Sequence, residues 1–309
     1  MFSPPRYNPA EREQHYNSKN KEPSMNLGPS DSPAVDDRDW SALTVGEQIR
    51  QIEVEGYLVL PDLLEAAEVT QLKQITATFE TTAVDYSVHQ RGKNHIEKAG
   101  GALAELIAQP RVLEFLSQLF GDEVIMMSYA YAISEPGHPG ISLHTDGQPY
   151  GSEIFGYEGS CPTTVRVLHY LDDLTPQVSP FRVVPRSHLS MHADANPYKR
   201  YESHPEEVMV TAQAGSAVLL NHKVFHGNYP NVGDRPREML AISYRPAWAG
   251  PIEEVTTWDP QQIAKMPDTV RPLLGDRNQR IWNFGGGNKP ANMQRQAPGM
   301  NPSRWERHC

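Results

Sequence analysis

From Val124 the chain reads VIMMSYAYAIS (124–134), then TTVRVLHYL (163–171), FRVVP (181–185), SAVLLN (216–221) and REMLAISYRP (237–246). These apolar runs have strand length and are separated by Gly, Pro and Asp clusters, the spacing of an antiparallel barrel or sandwich. Upstream of Gly121 the apolar period is helical instead. SALTVGEQIRQIEVEG (41–56) offers a Ser N-cap, and YLVLPDLL (57–64) reads as a short strand entering a turn. In LLEAAEVTQLKQITATFE (63–80) Val69, Leu72, Ile75 and Phe79 share a helix face; ALAELIAQPRVLEFLSQLFG (102–121) gives two helices, parted by Pro110 and stopped at Gly121.

Outside this region the apolar density falls. Residues 1–40 are rich in Pro, Asn, Ser and Asp and are expected to form a disordered tail. Residues 41–250 make the main domain. Residues 251–309 form a C-terminal extension with a basic, Gly- and Pro-rich end, a lid or a subunit contact. The 309 residues carry 28 basic against 38 acidic side chains, a formal charge of −10, so a nucleic-acid partner would face an adverse field. No segment reads as a membrane span or a secretory leader, and two cysteines, Cys161 and Cys309, are too few for a disulfide framework or thiolate cluster. The expected setting is cytoplasmic.

Chemistry concentrates in SLHTDGQPYG (142–151). His144 and Asp146 are two apart, so on a strand both point to one face. Eighty residues on, NHKVFHGNYPNVGDRPREMLAISY (221–244) supplies His226 after an apolar strand, with His222 as the competing ligand. Two imidazoles and one carboxylate form the facial triad of non-haem Fe(II) oxygenases, which leaves positions open for a chelating co-substrate and oxygen. Eleven residues past His226, Arg237 begins a strand on which Met239, Ala241 and Ser243 share its face. From there a guanidinium can grip the distal carboxylate of 2-oxoglutarate. Arg235 falls in the turn, and Arg245 lies eight residues further along. Asp172 and Asp173 read as turn residues, and the glycines of NFGGGNKP (283–290) as linker.

These residues resemble the phytanoyl-CoA dioxygenase-like (PhyH) family of Fe(II)/2-oxoglutarate oxygenases over roughly residues 40–250. HTD is similar to the family's HxD, YLDDLTPQVSPFRVVPRSH (170–188) to its paired Asp and P-G-S-H loop, and HGNYPNVGDRPR (226–237) to its second-histidine and arginine stretch. Arg186 stands where that loop usually has Gly, and Val178-Ser179 replace a common Asn-Gly. The resemblance implies a mainly β fold with flanking helices, a double-stranded β-helix of jelly-roll, cupin-like type. It implies that His144, Asp146 and His226 hold Fe(II) and that Arg237, with Asn228 and Ser243, binds 2-oxoglutarate. Oxygen is the second co-substrate and ascorbate a supporting reductant. A carboxylate at Asp146 marks hydroxylase-type rather than halogenating chemistry. Arg166, Gln148, Tyr150 and Tyr131 are the candidates for holding the substrate, with Tyr129 beside them, and Arg166 suits an anionic or zwitterionic small molecule. The competing readings are a catalytically silent metal-binding barrel acting as sensor or scaffold, and a cupin-like metal enzyme that does not use 2-oxoglutarate.

Overall fold

The structure, a computed structural model, describes residues 33–84, 87–121, 123–144, 164–189, 203–247 and 259–274. Its strands are β1 (Ala34–Asp36), β2 (Tyr57–Leu60), β3 (Thr82–Val84), β4 (Ser87–Asn94), β5 (Val124–Ser134), β6 (Ile141–His144), β7 (Val165–Tyr170), β8 (Phe181–Val183), β9 (Val208–Val210), β10 (Ala217–Asn221), β11 (His226–Asn228) and β12 (Arg237–Pro246). They form a large sheet in the order β2-β10-β7-β12-β5-β4-β3 and a small one in the order β1-β9-β8-β11-β6. All pairings are antiparallel except β1 with β9. The two sheets are not closed into one, and together they make the double-stranded β-helix.

The five apolar runs read from the sequence are β5, β7, β8, β10 and β12. β12 is the hinge of the design, paired with β5 on one side and β7 on the other. Strand alternation splits its side chains. Arg237 lies opposite Ser134, and with Met239, Ala241 and Ser243 it shares the face that Tyr170, Leu168 and Arg166 present from β7. This face looks toward the small sheet, since Arg237 reaches Ser179 just before β8. The opposite face lies under the helices. There the Tyr244 hydroxyl donates to the Ile107 carbonyl at 2.8 Å, and the Tyr131 ring meets Phe79 edge-on. Val69 and Leu72 of the helix Ala66–Thr76 are buried in that core, and Ile75 and Phe79 pack on it.

The structure departs from the sequence reading in four places. Within the stretch expected as tail, Ala34–Asp36 form a strand, the Asp36 carboxylate accepts from the Tyr57 hydroxyl at 2.6 Å, and Trp40 is buried against Tyr57. The cap of helix Val45–Arg50 is Thr44, whose capping box with Glu47 satisfies two of the orphan N–H groups, rather than Ser41. β3 is only three residues long and β4 has a single apolar side chain, Val88, so no hydrophobic alternation announces them; they complete one edge of the large sheet. Finally, the described part of the C-terminal stretch is no appendage, because Met266, Val270, Leu273 and Leu274 are buried in the main core and helix Arg271–Leu274 packs on β5.

Candidate active site

His144 ends β6 and His226 opens β11, and the two residues are partners across that strand pair. Their ring centroids are 4.4 Å apart with planes tilted by 42°. Each ring is anchored by its own strand: Nδ1 of His144 lies 2.8 Å from the Ser142 carbonyl and Nδ1 of His226 3.0 Å from the Val224 carbonyl. A carbonyl only accepts, so both Nδ1 atoms carry the proton and both lone pairs sit on Nε2. That tautomer is the one a metal-binding imidazole adopts when its other nitrogen donates to a carbonyl. Phe181 stacks on the His226 ring, with centroids 5.9 Å apart.

Gly227 makes this approach possible. A β-carbon there would fall 2.3 Å from the Ile141 carbonyl oxygen and 3.0 Å from that of Ser142, so only glycine lets β11 lie this close to β6. The register also slips between His226 and Asn228, which re-aims the histidine at the strand's end.

His222, the competing ligand, has its Nδ1 3.0 Å from the Thr164 carbonyl, but it is His226 whose ring faces His144 across the strand pair. Asp146, Gln148 and Tyr150 lie outside the described residues. Among the described residues no set of three His, Cys, Asp or Glu side chains is gathered for a metal; what the structure shows is the pair of facing histidines.

Across the barrel, Arg237 is wholly buried. Its guanidinium lies over the Tyr170 ring, 5.6 Å from the centroid, and Nη2 points at the Ser179 hydroxyl at 3.5 Å. The Tyr170 hydroxyl is buried without an acceptor among the described residues; burial raises its pKa, against the pull of the Arg237 charge and the Asn228 amide. Asn228 is buried here too, its amide donating toward the Ser179 and Pro180 carbonyls at 3.3 and 3.4 Å. A buried guanidinium, a phenol seeking an acceptor and an amide on one wall suit a carboxylate. His138 stands nearby, pushed down to about 4 by burial first and then by the Arg237 charge.

The other expected residues divide. Ser243 was expected beside Arg237, but six residues along a strand span roughly 20 Å, and the Ser243 hydroxyl accepts from Arg166 Nε at 3.2 Å instead. Arg166 is on the inward face of β7, at the end away from Tyr170. Tyr131 does not join the pocket. It pairs with Leu240, on the helix side of the sheet, where its hydroxyl donates to Glu238 at 2.7 Å; Tyr129, opposite Ile242, faces the same way. The two residues were placed by nearness in sequence, and strand parity puts them on the far face. Asp172 and Asp173 hold backbone N–H groups of Glu238 and Ala214, as turn residues do.

Tyr170, Ser179, Ser134 and His138 were not singled out as site residues. Alternation from Arg166 points to Tyr170; the others reach the site through turns that periodicity does not describe.

Comparison with known proteins identifies the family and the fold. The family model described as phytanoyl-CoA dioxygenase (PhyH) matches residues 52–239. The ectoine dioxygenase of Nocardia farcinica is 24% identical over 274 residues, covering 76% of this chain and 87% of that protein. The L-proline trans-4-hydroxylase of Streptomyces griseoviridis is 22% identical over 264 residues, covering 72% and 94%. Among solved structures, HygX from Streptomyces hygroscopicus with nickel and 2-oxoglutarate bound superposes with a TM-score of 0.57 at 19% identity, over 72% of this chain and 94% of that one. The non-heme alpha ketoglutarate dependent epimerase SnoN from nogalamycin biosynthesis gives 0.56 at 18%, over 72% and 93%. The matched span takes in β2, both histidines and Arg237, and the chain belongs to the phytanoyl-CoA dioxygenase (PhyH) family of Fe(II)- and 2-oxoglutarate-dependent dioxygenases.

Proposed function

We propose that this enzyme hydroxylates a small anionic or zwitterionic molecule, with His144, Asp146 and His226 holding Fe(II) and Arg237 holding 2-oxoglutarate. The observation that carries the reading is the pair of facing imidazoles, both with lone pairs on Nε2, in the same barrel as a fully buried arginine. The bound iron supplies the oxidising chemistry, in which O2 and 2-oxoglutarate are consumed and succinate and CO2 released.

The chain's own work is orientation. The Ser142 and Val224 carbonyls hold the two rings in one tautomer and plane, so each presents Nε2 without reorganisation. Arg237 takes the C5 carboxylate in a site shielded from water, where a charge-assisted pair is stronger than at the surface. Tyr170 gives that carboxylate a hydroxyl donor, and Asn228 completes the wall. Arg166, steadied by Ser243, faces the barrel interior and meets an acidic group of the substrate. Substrates of the relatives are small molecules by name, ectoine and proline among them. No described helix is long and apolar enough to cross a membrane. Two cysteines in 309 residues suit a reducing, cytoplasmic setting.

The test is succinate formation by protein given Fe(II), ascorbate, 2-oxoglutarate and air. Wild type is expected to form succinate, and Asp146→Ala and Arg237→Leu to fail. Turnover by Arg237→Leu at the wild-type rate would overturn the co-substrate assignment. For the substrate, Arg166→Leu is expected to weaken binding, and unchanged affinity would dispose of the anionic class.

A further inference from the structure

Ser179, in the turn between β7 and β8, has φ +49° and is fully buried. A residue with a β-carbon is strained in this left-handed conformation, where glycine is not. What the strain secures is the position of one oxygen. Ser179 Oγ donates to the Tyr229 carbonyl at 3.0 Å and accepts from Ser134 Oγ at 3.0 Å, and Arg237 Nη2 reaches it at 3.5 Å. Ser134 Oγ lies 3.0 Å from His138 Nδ1. Because the single Ser134 proton goes to Ser179, the Ser134 oxygen accepts from His138, which fixes that ring's proton on Nδ1. The chain of donors thus runs one way, from His138 through Ser134 and Ser179 to the Tyr229 carbonyl. The Ser179 proton is committed to the Tyr229 carbonyl, so its lone pairs are left to accept from Ser134 and from the guanidinium. The flat side of that guanidinium rests on the Tyr170 ring.

We infer that Ser179 is a positioning residue that sets which 2-oxo diacid the site accepts: by tethering the Nη2 corner of Arg237 it fixes the depth at which the distal carboxylate is met. A guanidinium held at one depth suits one chain length, five carbons rather than six. The inference rests on the reading that Arg237 binds the co-substrate's distal carboxylate. Serine at a position where glycine would be unstrained is then a choice of the hydroxyl over backbone ease.

The experiment is calorimetric titration of the Fe(II)-loaded full-length protein, under nitrogen, with 2-oxoglutarate and with 2-oxoadipate. Ser179→Gly removes the strain together with the hydroxyl's buried hydrogen bonds, two opposed effects on Tm, so the readout is the ligand preference rather than stability. Its Kd for 2-oxoglutarate rises about tenfold, the loss of one hydrogen bond to a charged group. Its Kd for 2-oxoadipate is unchanged, and the preference between the two diacids falls by the same factor. Ser134→Ala, which keeps the turn but removes the donor to Ser179, moves the preference in the same direction by about threefold. A Ser179→Gly protein that keeps the wild-type preference overturns the inference, whatever its Tm. Arg237→Leu separates the two ideas. If it loses 2-oxoglutarate while Ser179→Gly keeps the preference, the inference alone fails; if it binds 2-oxoglutarate as wild type does, the reading of Arg237 fails and the inference with it.

Discussion

β12 turns alternate residues to two environments: Arg237, Met239, Ala241 and Ser243 toward the small sheet, Glu238, Leu240, Ile242 and Tyr244 toward the helices. The first residue of each set is charged and largely or wholly buried. The Glu238 carboxylate is matched from within the chain. One oxygen accepts from the Tyr131 and Thr76 hydroxyls at 2.7 and 3.1 Å, and Lys73 Nζ stands 3.2 Å from the other. The Arg237 guanidinium lies over the Tyr170 ring, 5.6 Å from its centroid, and its Nη2 reaches the Ser179 hydroxyl at 3.5 Å. Two adjacent charges thus face different surroundings: the outward one ties helix Ala66–Thr76 to the sheet, and the inward one is the group we propose for the distal carboxylate of 2-oxoglutarate.

The sharpest way to break this contrast is to remove each charge in turn. Arg237→Leu is expected to lower kcat/KM for 2-oxoglutarate by about 100- to 1,000-fold, the loss of a buried charge-assisted pair. A large fall in Tm with turnover intact would reverse the roles assigned to the two faces. Gly227→Ala attacks the other half of the site, because its β-carbon meets the Ile141 carbonyl and drives β11 from β6. Iron affinity, measured by competition with a chelator, should drop by about 10- to 100-fold. Affinity at the wild-type level would show that the two histidines do not share a metal. Glu238→Ala should unfold in less urea, by about 2–4 kcal/mol, because Tyr131 and Thr76 lose their acceptor. Its Kd for 2-oxoglutarate should stay within about twofold if the faces are independent.

Parity also explains what the sequence could say. The strands of the large sheet were legible because β5, β7, β10 and β12 are largely buried and carry runs of apolar residues. His226 and Arg237 stood out because each borders such a strand. Tyr131 was misplaced for lack of a register: only its pairing with Leu240 tells which face it takes. Ser243 shares the Arg237 face yet lies at the other end of the strand, a distance that a shared face does not reveal. The group behind Arg237 was illegible for another reason. Ser179 and His138 sit in turns, where position follows from backbone dihedrals such as the φ of +49° at Ser179 rather than from any hydrophobic period. β3 and β4 escaped notice because one is too short to show a period and the other, with one apolar side chain, buries too little to need one.

The smallest expected effect concerns acid. His169 lies on the helix side of β7, opposite Leu240, wholly buried, and neither ring nitrogen has a hydrogen-bond partner among the described residues. Burial alone pushes it down to about 3. In the unfolded chain the same ring takes up a proton near its ordinary value of about 6.5, so between these two pH values the unfolded state binds more protons and stability falls as the pH is lowered. The loss is at most about 1.4 kcal/mol per pH unit for one group, starts below about 6.5 and stops where the native state itself protonates. His138, held at about 4 beside Arg237, adds a similar slope from the other side of the sheet. His169→Leu should therefore flatten the fall in the urea midpoint between pH 7.5 and 5 by one proton's worth, and leave the Kd for 2-oxoglutarate at pH 7.5 unchanged. A slope identical to wild type would mean that the His169 site admits a proton or water, and a changed Kd would mean that the two faces of the sheet are coupled through β7 rather than insulated by it.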